Sequence, residues 1–437
     1  VFCLRGPVPK TLFRRACPLA QTAGRKRAEC ALLSGVMHRS LLGLPLLAAL
    51  ACGEPAKDTS GTDAQSSGDG ESSTDAGTTD GTASTASTAP TSTSGMSGAA
   101  STGSGDPSST STSGSTGSDT TGGPVQAARC GDTPPEGAVL APEIPAYGGT
   151  CPVLETGYMD GQAYNILPQT VSGKNYDREF LVIVPEDMQA DEKLPVIFLW
   201  HWLGGEAKDF YTKGDVQNAV NQKRFIAVIP EARSDVLFKW PFTVLDSAEA
   251  LEAEFIFFDD MLSCVNEQFG VDKDCVSSTG VSAGALFTSQ LAGGRGDRLS
   301  SFMSLSGGTG GLTVKPWTEP QHKLPAMVLW GGPNDFCVAV NFQDTSHDLE
   351  MNLEKNGHFV LECVHNCNHS TPPFPVPEGM TAFAPLWDFV LDHPYWLAPG
   401  DSPYLNGGLP DSMPDWCAIG VGNAVPPAGT CDINECS

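Results

Sequence analysis

The chain has 437 residues, of which 40% are hydrophobic and 17% are charged, so it is long enough to bury a large core. Its 48 glycine and 34 proline residues indicate that part of this length lies outside any core. Acidic residues outnumber basic ones 51 to 25, which gives a net charge of −26 and argues against nucleic acid as a partner, because phosphate recognition needs basic side chains.

The N-terminal part of the chain is predicted to serve export. Residues 1–36 are expected to lie upstream of the true start, and 37–51 combine a short basic segment with an apolar run of signal-peptide length. Small residues before Cys52 resemble a bacterial lipobox, in which this cysteine carries a lipid anchor; an ordinary signal peptide is the alternative. We therefore expect a lipoprotein at the cell surface, with the outer membrane favoured, or a secreted protein.

Residues 52–128 are predicted to form a disordered linker. Most of this stretch is Ser, Thr, Gly, Ala, Asp and Pro, so large apolar side chains that could offset the entropy of ordering are nearly absent. A plain spacer is the simplest interpretation of such a composition.

Residues 129–437 are predicted to form one catalytic domain with disulfide-rich ends. Short apolar runs alternate with amphipathic stretches, a pattern typical of a mostly parallel sheet with helices on both faces. The predicted strands are 179–184, 194–200, 225–229, 275–279, 301–305, 326–330 and 358–362. The predicted helices are 248–269, 285–291 and 380–391. This order predicts an α/β fold, and the serine motif described below indicates that it is of the α/β-hydrolase type.

The cysteines agree with export. Ten of the 14 lie in the predicted catalytic domain, and an even number in an exported chain indicates disulfides. Cys264 and Cys275 flank one short connection between a helix and a strand, so they are the predicted pair, and the other pairings stay open.

A candidate nucleophile lies in the segment Gly280-Val-Ser282-Ala-Gly284, which matches the pattern G-x-S-x-G. The segment follows a β-rich run and opens a predicted helix, where a nucleophile elbow exposes its serine above the sheet. A glycine- and serine-rich turn without chemistry is the alternative. Serine becomes a strong nucleophile when a histidine takes its proton and a carboxylate orients the histidine.

The candidate acid is Asp335. In this fold class the acid follows the serine along the chain, and Asp335 comes just after the predicted strand that ends at Trp330. Open α/β sheets place their sites at such strand ends. Asp297 precedes a strand and Asp348 lies in a probable helix, so both fit the role less well.

The candidate base is His369, which lies in a loop after the last predicted strand, as a mobile general base requires. His365 is the second choice and His358 the third. The alternation of Cys363, His365, Cys367 and His369 also allows a zinc site, although tetrahedral sites rarely take four ligands at every second position. We therefore predict no metal and no cofactor.

The segment after the predicted strand 194–200 is the candidate oxyanion loop. Backbone N–H groups of Trp202 or Leu203, together with that of Ala283, would hold the developing negative charge. Trp202 and Trp240 are weaker candidates for a substrate pocket, since each could equally serve packing.

Several of these motifs resemble an exported esterase family that includes polyhydroxybutyrate depolymerases, feruloyl esterases and acetylxylan esterases. The segments that carry the resemblance are 201–205, 257–262, 269–274, 279–284, 332–335 and 368–370, within about residues 170–395. In that family the elbow serine, the aspartate and the late histidine form the triad, which implies Ser282, Asp335 and His369 here. Family members often carry His-Gly where this chain has His201-Trp202.

The resulting hypothesis is an extracellular serine ester hydrolase. The resemblance implies feruloyl or acetyl esters of polysaccharide, or polyhydroxyalkanoate-type polyesters, as substrates. We expect a monomer that contacts a membrane only through its lipid anchor. The alternatives are a non-catalytic surface binding protein on a degenerate hydrolase fold and a serine peptidase of the same fold.

Overall fold

A nine-stranded sheet forms the centre of the computed structural model, which describes residues 128–431, 433, 435 and 436. In chain order the strands are β1 (Asn165–Val171), β2 (Lys174–Ile183), β3 (Leu194–Trp200), β4 (Ile226–Pro230), β5 (Val271–Val281), β6 (Ser301–Leu305), β7 (Ala326–Trp330), β8 (Phe336–Cys337), β9 (Val340–Asn341), β10 (Val360–Val364) and β11 (Cys417–Ile419). The order in the main sheet is β1-β2-β4-β3-β5-β6-β7-β10-β11, and β8 and β9 pair separately.

Seven helices accompany the strands in the described part of the chain. They are α1 (Ala207–Lys213), α2 (Val216–Lys223), α3 (Ala248–Phe269), α4 (Ala283–Arg295), α5 (Phe342–Lys355), α6 (Ala384–Leu391) and α7 (Pro403–Gly407). No described helix has the length and apolar character needed to cross a membrane.

In the main sheet six neighbouring strands run parallel to one another, namely β4, β3, β5, β6, β7 and β10. The strands β1, β2 and β11 add antiparallel pairs at the two sides. All seven residues of β3 are buried, and its side chains alternate between two hydrophobic clusters. One cluster contains side chains of α3, α4 and α5, and the other contains side chains of α1, α2 and α6. Helices therefore cover both faces of the sheet, which confirms the α/β-hydrolase fold.

Several predicted elements have the observed bounds. The strands β3, β6 and β7 and the long helix α3 match exactly, and Ser247 caps α3 by accepting a hydrogen bond from the N–H of Ala250. The final predicted helix begins later than expected, at Ala384, with a proline in its first turn. The strands β1 and β11 were not predicted from the sequence.

The predicted disulfide Cys264–Cys275 is wrong. Cys264 pairs with Cys151, and Cys275 pairs with Cys130. The reason is that the segment before β1 runs beside α3 and β5: the N–H of Leu154, for example, donates to the side chain of Gln268 near the end of α3. This segment brings its own cysteines to both partners. The other pairs are Cys337–Cys436, Cys363–Cys417 and Cys367–Cys431.

The predicted signal peptide, the Cys52 lipid anchor and nearly all of the predicted linker lie outside the described residues.

Candidate active site

The candidate nucleophile sits on a sharp turn between β5 and α4. Ser282 has a φ of 55°, a conformation that L residues rarely adopt, and its N–H donates to the carbonyl oxygen of Leu305 at 2.9 Å. A Cβ on Gly280 would lie 2.1 Å from the carbonyl oxygen of Gly284, and one on Gly284 would lie 2.0 Å from that of Trp200. Only glycine permits this approach of turn, helix and strand, so the elbow geometry explains the two glycines of the motif.

The structure brings Ser282, His369 and Asp335 together. Nε2 of His369 lies 2.9 Å from the hydroxyl oxygen of Ser282, and Nδ1 lies 2.6 Å from Oδ1 of Asp335. Since an ionised carboxylate only accepts hydrogen bonds, Nδ1 carries a proton and Nε2 is free to accept the serine proton. The three side chains follow the carboxyl ends of β5, β7 and β10, at one edge of the parallel sheet.

Two further donors hold the aspartate. Asp335 is fully buried, and its Oδ2 accepts hydrogen bonds of 2.8 Å from the hydroxyl of Ser306 and from the N–H of Gly331. The carboxylate is thus held at both oxygens. Sequence reasoning missed Ser306, although it directly follows β6 at the same edge of the sheet, a position that the topology could have indicated.

The histidine ring is held from the side as well. The ring of Phe342, the first residue of α5, stacks on the ring of His369 with centroids 4.4 Å apart. The carbonyl oxygen of His369 accepts a hydrogen bond from the N–H of Glu435 in the C-terminal segment. Both contacts restrict the loop that carries the base, and neither was expected from the sequence.

The competing histidines lie outside this hydrogen-bond chain. Nδ1 of His365 accepts from the N–H of Cys367, and burial lowers the His365 pKa to about 4. His358 contacts the carbonyl oxygen of Leu324 and the carboxylate of Glu319 instead.

The alternative zinc site at Cys363, His365, Cys367 and His369 is not formed in the structure. Cys363 and Cys367 are joined in disulfides to Cys417 and Cys431, so neither sulfur offers a thiolate to a cation.

The residues that carry the candidate oxyanion donors lie near the serine. Trp202 and Leu203 border the same cavity as Ser282, while Ala283 begins α4 directly after it. N–H groups in the first turn of a helix have no acceptor within the helix, so that of Ala283 is available to an oxyanion.

Trp240 does not line a pocket as predicted. It is fully buried, and its indole N–H donates to the carbonyl oxygen of His201 at 2.8 Å. Its ring packs against those of Trp200 and Phe287. Trp240 therefore packs between the candidate oxyanion loop and α4 and holds that loop through the hydrogen bond to His201.

Two cavities meet at Ser282. The first, of about 310 Å³, has aromatic, aliphatic and small polar residues in its walls, with Lys213 and Glu435 as its charged residues. Its aromatic lining residues are Trp202, Phe210, Phe383 and Trp387, together with the His369 imidazole.

The second cavity, of about 430 Å³, is almost entirely apolar. Four aliphatic side chains around it are strongly exposed, at 81% for Leu237, 92% for Leu245, 96% for Leu312 and 61% for Val338. Such a concentration of exposed apolar side chains is unusual on a protein surface. The sequence did not reveal it, because these residues come from separate loops.

No protein-family model matches the chain, and no curated protein matches it. Solved structures of similar fold include native pOPH, at 16% identity over 62% of this chain and 97% of that chain, with a TM-score of 0.46. An acetyl xylan esterase from Aspergillus awamori is 14% identical over 40% of this chain and 72% of that chain, with a TM-score of 0.32. A ferulic acid esterase is 14% identical over 47% of this chain and 90% of that chain, with a TM-score of 0.37. The names of the last two structures fall within the esterase family that the sequence motifs resemble.

Proposed function

We propose that this protein is a serine hydrolase of carboxylic esters. The observation that carries the proposal is the continuous hydrogen-bond chain from Ser282 through His369 to Asp335, with links of 2.9 and 2.6 Å. This arrangement beside an available helix N-terminus is the set of parts that acyl transfer requires.

The reaction follows from the positions of the groups. His369 takes the hydroxyl proton at Nε2 as the oxygen of Ser282 attacks the ester carbonyl carbon. The N–H of Ala283 and one from the loop of Trp202 and Leu203 stabilise the tetrahedral oxyanion. His369 then gives the proton to the departing alcohol as the C–O bond breaks. The acyl group is now bound to the oxygen of Ser282. Water then gives a proton to the same nitrogen as it attacks the acyl carbon, the bond to the serine oxygen breaks, and the proton returns to that oxygen, which releases the acid and restores the serine. Asp335 stabilises the imidazolium in both halves of the reaction.

The second cavity favours a polyester as substrate. A polyhydroxyalkanoate-type chain presents esters within an apolar polymer, and the exposed aliphatic side chains around this cavity would bury area against it. The aromatic side chains that line the first cavity support a second candidate substrate, a feruloyl ester, whose ring would stack on Trp202 or Trp387. Acetyl esters of polysaccharide need neither surface.

We also propose that the protein acts outside the cytoplasm, as a cell-surface lipoprotein or a secreted enzyme. The five disulfides support this location, since such bonds persist mainly in oxidising compartments. We expect it to act as a monomer without a catalytic cofactor.

An ester panel tests the activity. The full chain is offered p-nitrophenyl acetate, p-nitrophenyl butyrate, methyl ferulate and a hydroxybutyrate oligomer. We expect turnover that the variant Ser282→Ala loses by a factor of at least about 10⁴ while its circular dichroism spectrum is unchanged. Equal turnover by wild type and variant would refute the proposed nucleophile, and cleavage of peptides but not esters would indicate the peptidase alternative.

The polyester preference has its own test. The double variant Leu245→Asp/Leu312→Asp should hydrolyse a polyhydroxybutyrate suspension at least about tenfold more slowly, because two exposed leucine side chains that the bound polymer would cover are lost. Its rate on soluble p-nitrophenyl acetate should stay the same. Leu405→Asp is the matched control, since Leu405 is half-exposed on α7 and lines neither cavity. Unchanged polymer hydrolysis by the double variant would contradict this substrate class.

A further inference from the structure

A second cluster of ionisable side chains lies between α5 and β10, and the proposed reaction does not use it. Glu350 on α5 is fully buried, and neither of its carboxylate oxygens has a hydrogen-bond partner among the described residues. Glu362 on β10 is also buried, and His347 lies one helical turn before Glu350, at the exposed end of the cluster. One ligand atom from each of the three lies within 4.8 Å of the others.

The two buried carboxylates of this cluster lack a compensating positive charge within the region that the structure describes. Burying a carboxylate without a partner is costly, and burying two side by side is more so. Among the described residues, the polar contact of this pair is the hydrogen bond of 2.7 Å that the N–H of Ala424 donates to Glu362. No lysine or arginine pairs with Glu350 or Glu362 in the described part of the chain, so a positive charge is missing from this position.

We propose that His347, Glu350 and Glu362 bind one Zn²⁺ ion, with water completing the coordination. An imidazole nitrogen with two carboxylate oxygens is a donor set that zinc takes, whereas calcium and magnesium prefer oxygen ligands alone. Tetrahedral zinc needs ligand atoms about 3.3 Å apart, so the group must contract slightly on binding. The exposed His347 side chain allows this movement and gives the ion an entry path.

The position of the cluster defines what the ion would do. The helix α5 begins with Phe342, which stacks on His369, and β10 leads into the loop that carries His369. A zinc ion bridging α5 and β10 would tie together the two elements that hold the general base. None of its ligands borders Ser282, so the ion acts on stability rather than on the reacting atoms.

The test uses the full chain after removal of metal with a chelator, titrated with zinc chloride alone. We expect one zinc ion per chain by elemental analysis and a higher Tm on zinc addition. The variants His347→Ala and Glu350→Gln should each bind zinc more than about tenfold more weakly, and neither should gain Tm. Asp344→Asn is the matched control, because Asp344 is an exposed acidic residue on the same helix outside the ligand set, so this variant should bind zinc and gain Tm as the wild type does.

The competing explanation is a proton held by Glu350 in place of the ion. In that case the metal-free protein would bind no zinc, and its Tm would not respond to zinc or chelator. Zinc bound equally by wild type and by His347→Ala would also overturn the proposal, and this variant changes only an exposed side chain. Both readouts are independent of ester hydrolysis, so they hold whether or not the proposed activity is found.

Discussion

The Asp335 carboxylate is the most constrained group of the candidate site. It is buried, it accepts hydrogen bonds from Ser306 and Gly331 on one oxygen, and it faces Nδ1 of His369 with the other. Charge-assisted hydrogen bonds of this kind are short and strong, and they fix both the position and the tautomer of the imidazole. The reactivity expected of Ser282 therefore depends on the donors that hold Asp335 as well as on the histidine itself.

The contribution of Ser306 can be measured. Ser306→Ala removes one of three hydrogen bonds to the carboxylate, so we expect kcat on p-nitrophenyl butyrate to fall about tenfold with little change in KM. Asp335→Asn should lower kcat by about 10⁴, because the wrong tautomer is favoured. Ser300→Ala is the control: Ser300 is equally buried at the other end of β6, where it donates to a backbone oxygen. A rise in KM with unchanged kcat for Ser306→Ala would contradict a role of Ser306 in positioning the Asp335 carboxylate.

At this scale the sequence predicted which residues approach one another but not what surrounds them. The order of Ser282, Asp335 and His369 along an α/β chain is enough to place all three at one edge of the sheet. Ser306 and Phe342 belong to no motif, and their roles depend on distances that only the folded chain defines. The pairing of Cys264 with Cys151 was missed for the same reason, since the approach of a distant segment leaves no local signal.

Among the elements, the elbow between β5 and α4 is the one whose geometry the site most depends on. The helix starts directly after Ser282, so its first N–H groups point toward the place where an oxyanion would form. The turn also lies against the end of β3, within van der Waals distance of the Trp200 backbone. Strand, turn and helix can therefore not shift independently.

Gly284→Ala tests this packing. The added Cβ would lie 2.0 Å from the Trp200 carbonyl oxygen, so β3 or α4 must move, and we expect a clear loss of Tm together with loss of esterase activity. Gly148→Ala is the control, because a Cβ there meets nothing within 4 Å. A Gly284→Ala protein with wild-type Tm and activity would show that the turn is not as tight as described.

The elements that the sequence predicted best are those with the clearest apolar patterns. Strand β3 and helix α3 have patterns that allow one interpretation, because every residue of the first is apolar and the second repeats apolar residues at helical spacing. The strands β1 and β11 lie at the sides of the sheet and pair antiparallel with β2 and β10. Short strands of mixed composition depend on their partners, so their sequences alone did not reveal them.

Across the described part of the molecule, burial favours the neutral form of several histidines, of which His322 is half-buried and His365 and His393 are buried. Burial lowers the pKa values of His322, His365 and His393 to about 4 each. His393 is completely enclosed, with Nδ1 donating to the carbonyl oxygen of Phe389 and Nε2 accepting from the hydroxyl of Ser402. Because the pKa is lower in the folded than in the unfolded chain, each histidine contributes stability above about pH 6.5 that is lost as the pH falls through 4.

His393→Asn tests this linkage. At pH 7 the variant should be less stable, because two buried hydrogen bonds are disturbed. Between pH 7 and 4.5, however, its free energy of unfolding should fall by about 1–3 kcal/mol less than that of the wild type, since the group that resists protonation is gone. Urea unfolding at the two pH values gives this difference, and parallel pH dependence in both proteins would contradict it.

The central claim is that Ser282 is an activated nucleophile, and covalent labelling tests it most directly. A fluorophosphonate reacts quickly only with a serine whose proton is withdrawn by a neighbouring base, so the folded chain should form one adduct per molecule. Mass spectrometry should place that adduct on the peptide containing Ser282, and Ser282→Ala should not be labelled. A folded chain that ignores the probe, or carries the adduct on another residue, would contradict the account and favour a binding protein on a hydrolase fold.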